Sequence, residues 1–253
     1  MAVAILVLLI WSWFGTEMNL SELAHSGPGI ADFLNRMFPP DLTWRADASR
    51  PFEPPLRLAG TVVGVTLQIS LLGTAMGTLA ALLLGLIAAE NLTPFWMHRP
   101  VKIMLALLRS IPVLLLALLF VAAVGLGPFP GVLAIAIHSI GMLGKLFAEE
   151  CETADRGVWE AMDSAGANWL QKIRFAIWPQ VAPQICSLTL FRLEMNIRDS
   201  AVLGFVGVAG LGLWIENYRR AFQYRSLATM VIVTILVVLV VDQISFHIRR
   251  RLQ

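Results

Sequence analysis

The sequence predicts an all-α polytopic membrane bundle of about six transmembrane helices, and three observations carry that prediction. Of 253 residues, 57% are apolar and 14% charged, with a mean hydropathy of +0.73. That is more hydrophobic surface than one soluble core can bury. The apolar residues gather in runs near the length of about 20 residues that a helical crossing needs, and helices suit a bilayer because each satisfies its own backbone hydrogen bonds. The third observation is charge placement. The net charge is only +2 and the basic residues are scattered between the runs, apart from Arg249, Arg250 and Arg251 at the end. Such a balance gives no reason to expect nucleic acid as a partner.

The runs can be taken in order. Span one, residues 2–14, reaches about 20 Å at 1.5 Å per residue, short of a hydrocarbon core of about 30 Å. It has neither a positive n-region nor an A-x-A cleavage site, which weighs against a signal peptide, and the missing flank suggests a natural start further upstream. Residues 15–57 are polar and Pro-rich and read as an external loop with one short amphipathic helix near residues 30–38. Span two is residues 58–89, long enough to tilt or bend. Its Gly73, Gly77, Ala81 and Gly85 recur every four positions and mark a face for close helix packing. Span three is residues 101–124, bent at Pro112. An uncharged hairpin at residues 125–131 sends span four, residues 132–147, straight back. A charged segment, residues 145–174, precedes span five (residues 183–206) and span six (residues 227–246).

Positive residues favour the cytoplasmic side, so Arg249, Arg250 and Arg251 place the C-terminus there. Counting back puts the loop with Arg99 and Lys102 and the charged segment on the same side. With six spans the N-terminus is cytoplasmic too; with span one discounted it is external, and nothing downstream changes. The chain thus reads as a single transmembrane domain, residues 1–253, with an external loop at 15–57 and a cytoplasmic loop at 149–179. Cys151 and Cys186 form no C-x-x-C pair and both fall on the cytoplasmic side, so neither a disulfide nor a metal site is expected.

In the cytoplasmic loop, residues 158–165 form a short helix, Gly166 breaks it, and Asn168 caps a second amphipathic helix that ends before Pro179. A helix, glycine and helix on the membrane surface make a knob suited to docking in a partner's groove. The residues read Glu160-Ala161-Met162, then three more, Gly166, and Pro179 thirteen positions on. This resembles the EAA loop of ABC importer permeases, E-A-A-x3-G-x9-I-x-L-P. Met162 stands for the second Ala, Ala176 for Ile and Trp178 for Leu, all apolar replacements. Leu107-Leu-Arg-Ser-Ile-Pro112, His138-Ser-Ile-Gly-Met-Leu-Gly-Lys-Leu-Phe-Ala-Glu149, Phe191-Arg-Leu-Glu-Met-Asn-Ile-Arg198 and Val202-Leu-Gly-Phe-Val-Gly207 are similar to phosphonate-type permeases, so the resemblance runs from about Thr61 to the C-terminus.

The resemblance implies a type I ABC importer permease in the bacterial cytoplasmic (inner) membrane, moving a small phosphorus oxyanion such as a phosphonate or phosphite. It implies coupling to an ATPase through Glu160, Ala161, Gly166 and Pro179. The partners it implies are a second permease chain in a homodimer, two cytoplasmic ATP-binding subunits that hold ATP and Mg, and an external substrate-binding protein. No cofactor is expected in this chain, and no catalysis. On this reading, closure of the ATPases pulls the paired knobs together and the spans rock as rigid bodies.

Span five carries Arg192, Glu194, Asn196, Arg198 and Asp199 within an apolar stretch. A charge near mid-bilayer costs about 2.5–3.5 kcal/mol on insertion scales, so these groups face protein or water. By helical periodicity Arg192, Asn196 and Asp199 share one face, while Glu194 and Arg198 form an i, i+4 pair nearly opposite. Either one face lines a conduit while the other ties the bundle together, or all of them are structural pairs. Guanidinium groups bind phosphate-like oxygens through charge-assisted, often bidentate bonds. Arg192, Asn196 and Arg198 are therefore candidate pathway residues, joined by His138 of span four, for which a packing role serves equally well. Arg192→Ala is expected to abolish uptake and leave assembly intact.

The glycine-rich stretch at residues 204–212 has neither G-x4-G-K-[ST] nor G-x-G-x-x-G and lies at the outer face, so it reads as a flexible or re-entrant turn and a candidate gate. A secondary transporter would need an internal coupling site and usually shows repeated halves, for which the sequence offers no convincing match. A membrane enzyme would need H-E-x-x-H, G-x-S-x-G or paired catalytic carboxylates, and none occurs.

Overall fold

The computed structural model describes residues 1–16, 20–45 and 53–252, which form helices joined by short turns. Parts of the predicted external loop, residues 17–19 and 46–52, lie outside the described residues. In chain order the elements are α1 (Ala2–Gly15), α2 (Leu20–Met37), α3 (Pro55–Ala88), α4 (Phe95–Ser110), α5 (Val113–Val124) and α6 (Pro128–Thr153). They continue with α7 (Arg156–Ser164), α8 (Trp169–Lys172), a π turn (Ile173–Ile177), α9 (Trp178–Leu203), a 3-10 turn (Gly204–Val206), α10 (Leu211–Arg220) and α11 (Tyr224–Leu252).

Among the described residues, α3, α6 and α11 are long and apolar enough to cross a membrane; α4 and α5 qualify only as a pair, meeting at 84°. Pro112 therefore breaks the predicted third span where a bend was expected. The residue before a proline is pushed out of the α region by the ring; Ile111 accordingly has φ −84° and ψ 118°, and Pro112 opens α5. With 26 residues α9 has the length to cross, about 39 Å, and carries the charges already noted. The 14 residues of α1 are apolar but short. The external loop holds much more helix than expected. Ile30, Phe33, Leu34 and Met37 repeat at i, i+3, i+4 and i+7, and the helix runs back to Leu20 through an internal Pro28. Phe33 meets Tyr224 of α11 edge to face at 5.5 Å.

The centre of the bundle is the contact between α3 and α6. A Cβ added at Gly73 would stand 2.7 Å from Ile135 Cγ2, one at Gly77 2.7 Å from Ser139 Cβ, and one at Gly85 2.9 Å from Phe147 Cβ. Ala81, between them, is fully buried. The four-residue stripe is thus a packing seam that brings two backbones together. Other sides of α6 repeat the device: Gly144 seats Leu105 of α4, and Gly141 lies against the α4 backbone at Leu108 and Arg109. Outward-facing leucines of α3 (Leu71, Leu79, Leu83) and α11 (Leu236, Leu239) stay exposed, as a surface covered by lipid tails requires.

The glycine-rich stretch expected to be flexible is closely packed. Gly204 and Gly212 touch through their backbones, with no room for a Cβ on either. Val208 is fully buried, and Gly127 forms a bridge to it, accepting from Ala209 N–H at 3.3 Å. The Leu211 N–H donates to Thr66 Oγ1 at 2.9 Å. The stretch leads into α10, which spans only 10 residues and packs against α3 and α11. Its buried Tyr218 donates to the Glu53 carbonyl at 2.8 Å, and Glu216 accepts from Arg219 and Arg220 at 2.7 and 2.6 Å.

Two outcomes follow from this packing. Gly77→Leu forces α3 away from α6 and is expected to lower stability by about 1–3 kcal/mol, the usual cost of overpacking, whereas Gly64→Ala, which meets nothing within 4 Å, raises it by up to about 1 kcal/mol through helix propensity; thermal unfolding of the purified protein in detergent compares them. The second concerns pH. Hydrogen bonds and charge from Arg219 and Arg220 hold the Glu216 carboxyl down at about 2, against an ordinary value of 4.5. A depressed carboxylate stabilises the fold above its unfolded value, so this contribution is present above about pH 4.5 and fades as pH falls through about 2. Backbone hydrogen exchange of α10 should follow that course in the native chain and lose it in Glu216→Gln.

Candidate functional site

The predicted knob is present and built from standard helix ends. Asp155 caps α7 by accepting from Gly157 N–H at 2.9 Å. The C-terminal end of α7 closes as a Schellman motif: Gly166, at φ +74°, donates to the Asp163 carbonyl at 2.9 Å and Ala167 to the Met162 carbonyl at 3.0 Å. Only glycine enters this left-handed region without strain, so the family's glycine sits where the turn needs it. Asn168 then caps α8 in a full capping box with Gln171, with bonds of 2.9 and 2.8 Å. Lys172 pins the two short helices together, pairing with Asp163 and lying 5.0 Å over the Trp159 ring.

The second helix of the knob does not end before Pro179, as the sequence suggested. Proline lacks an N–H, and its ring collides with the carbonyl four residues back. Here the π turn widens the helix, Trp178 N–H reaching the Ile173 carbonyl five residues back, so the chain passes Pro179 and enters α9 without a break. The knob is the first part of the membrane helix itself. Glu160, Ala161, Gly166 and Pro179 are all exposed, together with the apolar side chains of Val158, Leu170, Phe175 and Trp178.

A second set of contacts ties the knob to the loop between α3 and α4. Trp169 Nε1–H donates to the Leu92 carbonyl at 3.0 Å, and Asn91 donates to the Cys151 carbonyl at 2.8 Å. Lys102 bridges Glu90 at 2.7 Å and Glu152 at 2.9 Å, which holds the Glu90 carboxyl below its ordinary range. These contacts gather the C-terminal ends of α3 and α6 with the start of α4 at one end of the bundle, the end that the charge distribution made cytoplasmic.

The candidate pathway residues divide. Arg192 is 2% exposed and sits between α9 and α6, donating through Nε to Ser139 Oγ at 3.1 Å, with Asp199 at 4.0 Å from Nη2. Asn196 is fully buried and donates to Thr74 Oγ1 at 2.8 Å and to the same Ser139 oxygen at 3.0 Å. His138, half-buried, has no hydrogen-bond partner at Nδ1. Arg198 stands apart. Its side chain is 55% exposed and pairs with Glu194 at 2.6 Å, which Arg249 of α11 also approaches at 3.4 Å. The helical-face assignment therefore holds: Arg192 and Asn196 point at α3 and α6, and Glu194 and Arg198 point elsewhere. Sequence reasoning missed Ser139 and Thr74, neutral hydroxyls that leave no mark in an apolar run, and Trp169, whose donor finds a backbone carbonyl 77 residues away.

Apolar helices packed through glycine seams, with a capped helix pair projecting at one end, are the architecture of a transmembrane transport subunit. The chain belongs to the family of binding-protein-dependent transport system inner membrane components, whose family model matches residues 81–253. It is 35% identical over 245 residues to the phosphite transport system permease protein PtxC of Stutzerimonas stutzeri, covering 96% of this chain and 85% of that one. It is 36% identical over 231 residues to the phosphate-import permease protein PhnE of Mycolicibacterium smegmatis, covering 91% of this chain and 41% of that one. The fold matches the inward-facing MetNI methionine ABC transporter with a TM-score of 0.71 at 20% identity, over 80% of this chain and 99% of that one. The protein is thus an ABC importer permease, a transport subunit whose ATPase is a separate polypeptide.

Burial changes what Arg192→Ala should do. Removing the guanidinium leaves a void and deprives Ser139 of a donor, so the expectation that assembly survives gives way to a stability loss of about 3 kcal/mol. Thermal unfolding of the variant in detergent, with Arg192→Lys as the partial replacement, measures it.

Proposed function

We propose that this chain is the multi-pass permease of a bacterial cytoplasmic-membrane importer for a small phosphorus oxyanion, phosphite or phosphonate or a near relative. The observation that carries the substrate class is identity above a third across nearly the whole chain with a phosphite permease. Two copies form the membrane core. Each presents its Glu160–Gly166 knob to one of two ATP-binding subunits, which hold ATP and Mg, and an external binding protein delivers the ion. Exposed Val158, Leu170 and Phe175 give the knob an apolar docking face, with Glu160 beside a cavity of about 280 Å³ that Asn91, Asp155 and Trp159 also line. Because the knob continues into α9, movement of the ATPase is passed directly to the helix that carries Arg192, Asn196 and Arg198.

Reconstitution with the cognate ATPase and binding protein tests this reading, which requires ATP-dependent phosphite uptake. Gly166→Pro cannot adopt φ +74° and so dismantles the Schellman turn; uptake should fall at least about tenfold, because even an L residue that can enter the left-handed region costs about 1–2 kcal/mol there, while ATP hydrolysis persists. Vesicles holding this chain alone that accumulate the ion would overturn the proposal.

A further inference from the structure

The apolar residues 101–124 contain one cation that belongs to none of these networks, Arg109. Its depth is set by α6. A Cβ on Gly141 would lie 2.5 Å from the Arg109 backbone nitrogen, and Gly141 is 13 residues from Pro128 (141 − 128) and 12 from Thr153 (153 − 141). Arg109 therefore stands inside the predicted span 132–147, six residues (147 − 141) or about 9 Å from its cytoplasmic end. Its side chain is exposed, and it makes no hydrogen bond or ion pair among the described residues. A guanidinium inside the span is disfavoured against lipid, so this one turns to water, headgroups or protein.

Arg109 opens on a groove of about 320 Å³ between α4 and α6. Three cations stand on its wall, Lys102, Arg109 and Lys145, with two carboxylates, Glu149 and Glu152. Lys145 is paired to Glu149 at 3.2 Å, and Lys102 to Glu152 and Glu90. Each wall carboxylate thus has its own lysine. Both lysines are committed to carboxylates, Lys102 to Glu90 as well as Glu152, and the open cationic donors of the groove are those of Arg109.

We propose that this groove is a station for the phosphorus oxyanion on the cytoplasmic half of the pathway, with Arg109 as its binding residue. The proposal rests on the importer reading and deepens it. The guanidinium fork matches two oxygens of a tetrahedral phosphorus anion, and Lys145, 41% exposed in its side chain, reaches in as a second cation. Glu149 and Glu152 repel the same ion, which holds affinity low enough for release. The strongly buried Arg192 offers no such opening.

The test uses the complete transporter in vesicles, with phosphite and inorganic phosphate supplied separately. Arg109→Gln should lower phosphite uptake about tenfold or more, as loss of a charge-assisted hydrogen bond predicts, and Arg109→Lys should lose less, chiefly through a higher KM. Uptake by Arg109→Gln at the native rate would overturn the proposal. A second measurement covers a variant that fails to assemble: in Arg109→Cys made on a Cys186→Ser background, phosphite should slow labelling by an anionic methanethiosulfonate, and unprotected labelling counts against the site. A lipid phosphate offers the same chemistry. If uptake by the native chain collapses in neutral phosphatidylcholine vesicles while Arg109→Gln is indifferent to lipid charge, the groove holds a headgroup and the station is refuted. Absence of phosphite and phosphate uptake by the native complex would instead sink the importer reading, a result visible before any variant is compared.

Discussion

The structure depends on how closely other helices can approach α6. In lipid no hydrophobic force draws one helix to another, so association rests on van der Waals contact and interhelical hydrogen bonds. Both grow as backbones come closer, and small residues permit that on several sides of α6. Gly131 takes Val208 of the glycine-rich turn, Ala136 and Ser139 take Gly77 of α3, and Gly141 and Gly144 take α4. One consequence is chemical. At the tightest part of the α3 contact, α6 presents a hydroxyl, Ser139, which serves both Arg192 and Asn196 of α9. The close contact that excludes lipid also supplies the partners which make those polar side chains tolerable there.

With α6 as the fixed element, the knob has two routes into the membrane. One is covalent: α8, the π turn and α9 form one continuous helix, so displacing the knob displaces the span. The other is lateral, through Trp169 to the loop after α3 and through Lys102, which joins that loop to the end of α6 and to α4 itself. A load on the knob therefore reaches α9 and α4 together, on different sides of α6. Packed interfaces shift between discrete arrangements more readily than they deform smoothly. A pull at the knob would move two helices as units, α4 meeting α5 only at the 84° break.

Much of this was legible in the sequence for identifiable reasons. Apolar runs located the long helices because lipid imposes both length and composition. The four-residue glycine period revealed the α3 seam, since it is a local pattern with one geometric meaning. The knob was legible because Gly166 and Asn168 are terminators whose function depends on adjacent backbone. What escaped was non-local or cumulative. Pro179 reads as a stop, and only a π turn, which no residue type announces, carries the helix past it. The glycines at 204–212 read as slack, yet they are small because Gly204 and Gly212 touch. Residues 20–29 looked like loop because Pro28 and two glycines outweighed an amphipathic repeat that begins only at Ile30.

Arg109 shows what separates structural from functional charge in a membrane. The rule that singled out span five applies equally to one arginine in residues 101–124, but the missing neighbours of opposite charge made it less conspicuous. That isolation is the informative property. Arg192 is buried, and its Nε is satisfied by a hydroxyl of α6; Arg198 is exposed, and Glu194 neutralises it. Each has a polar partner among the described residues, although Arg192 Nη2 is buried without a hydrogen bond. Arg109 lies inside the predicted span, exposed and without a counter-charge among the described residues, so no contact seen in the fold accounts for it. A charge retained at such depth needs a partner from elsewhere, and in a permease the partner that comes and goes is the transported ion.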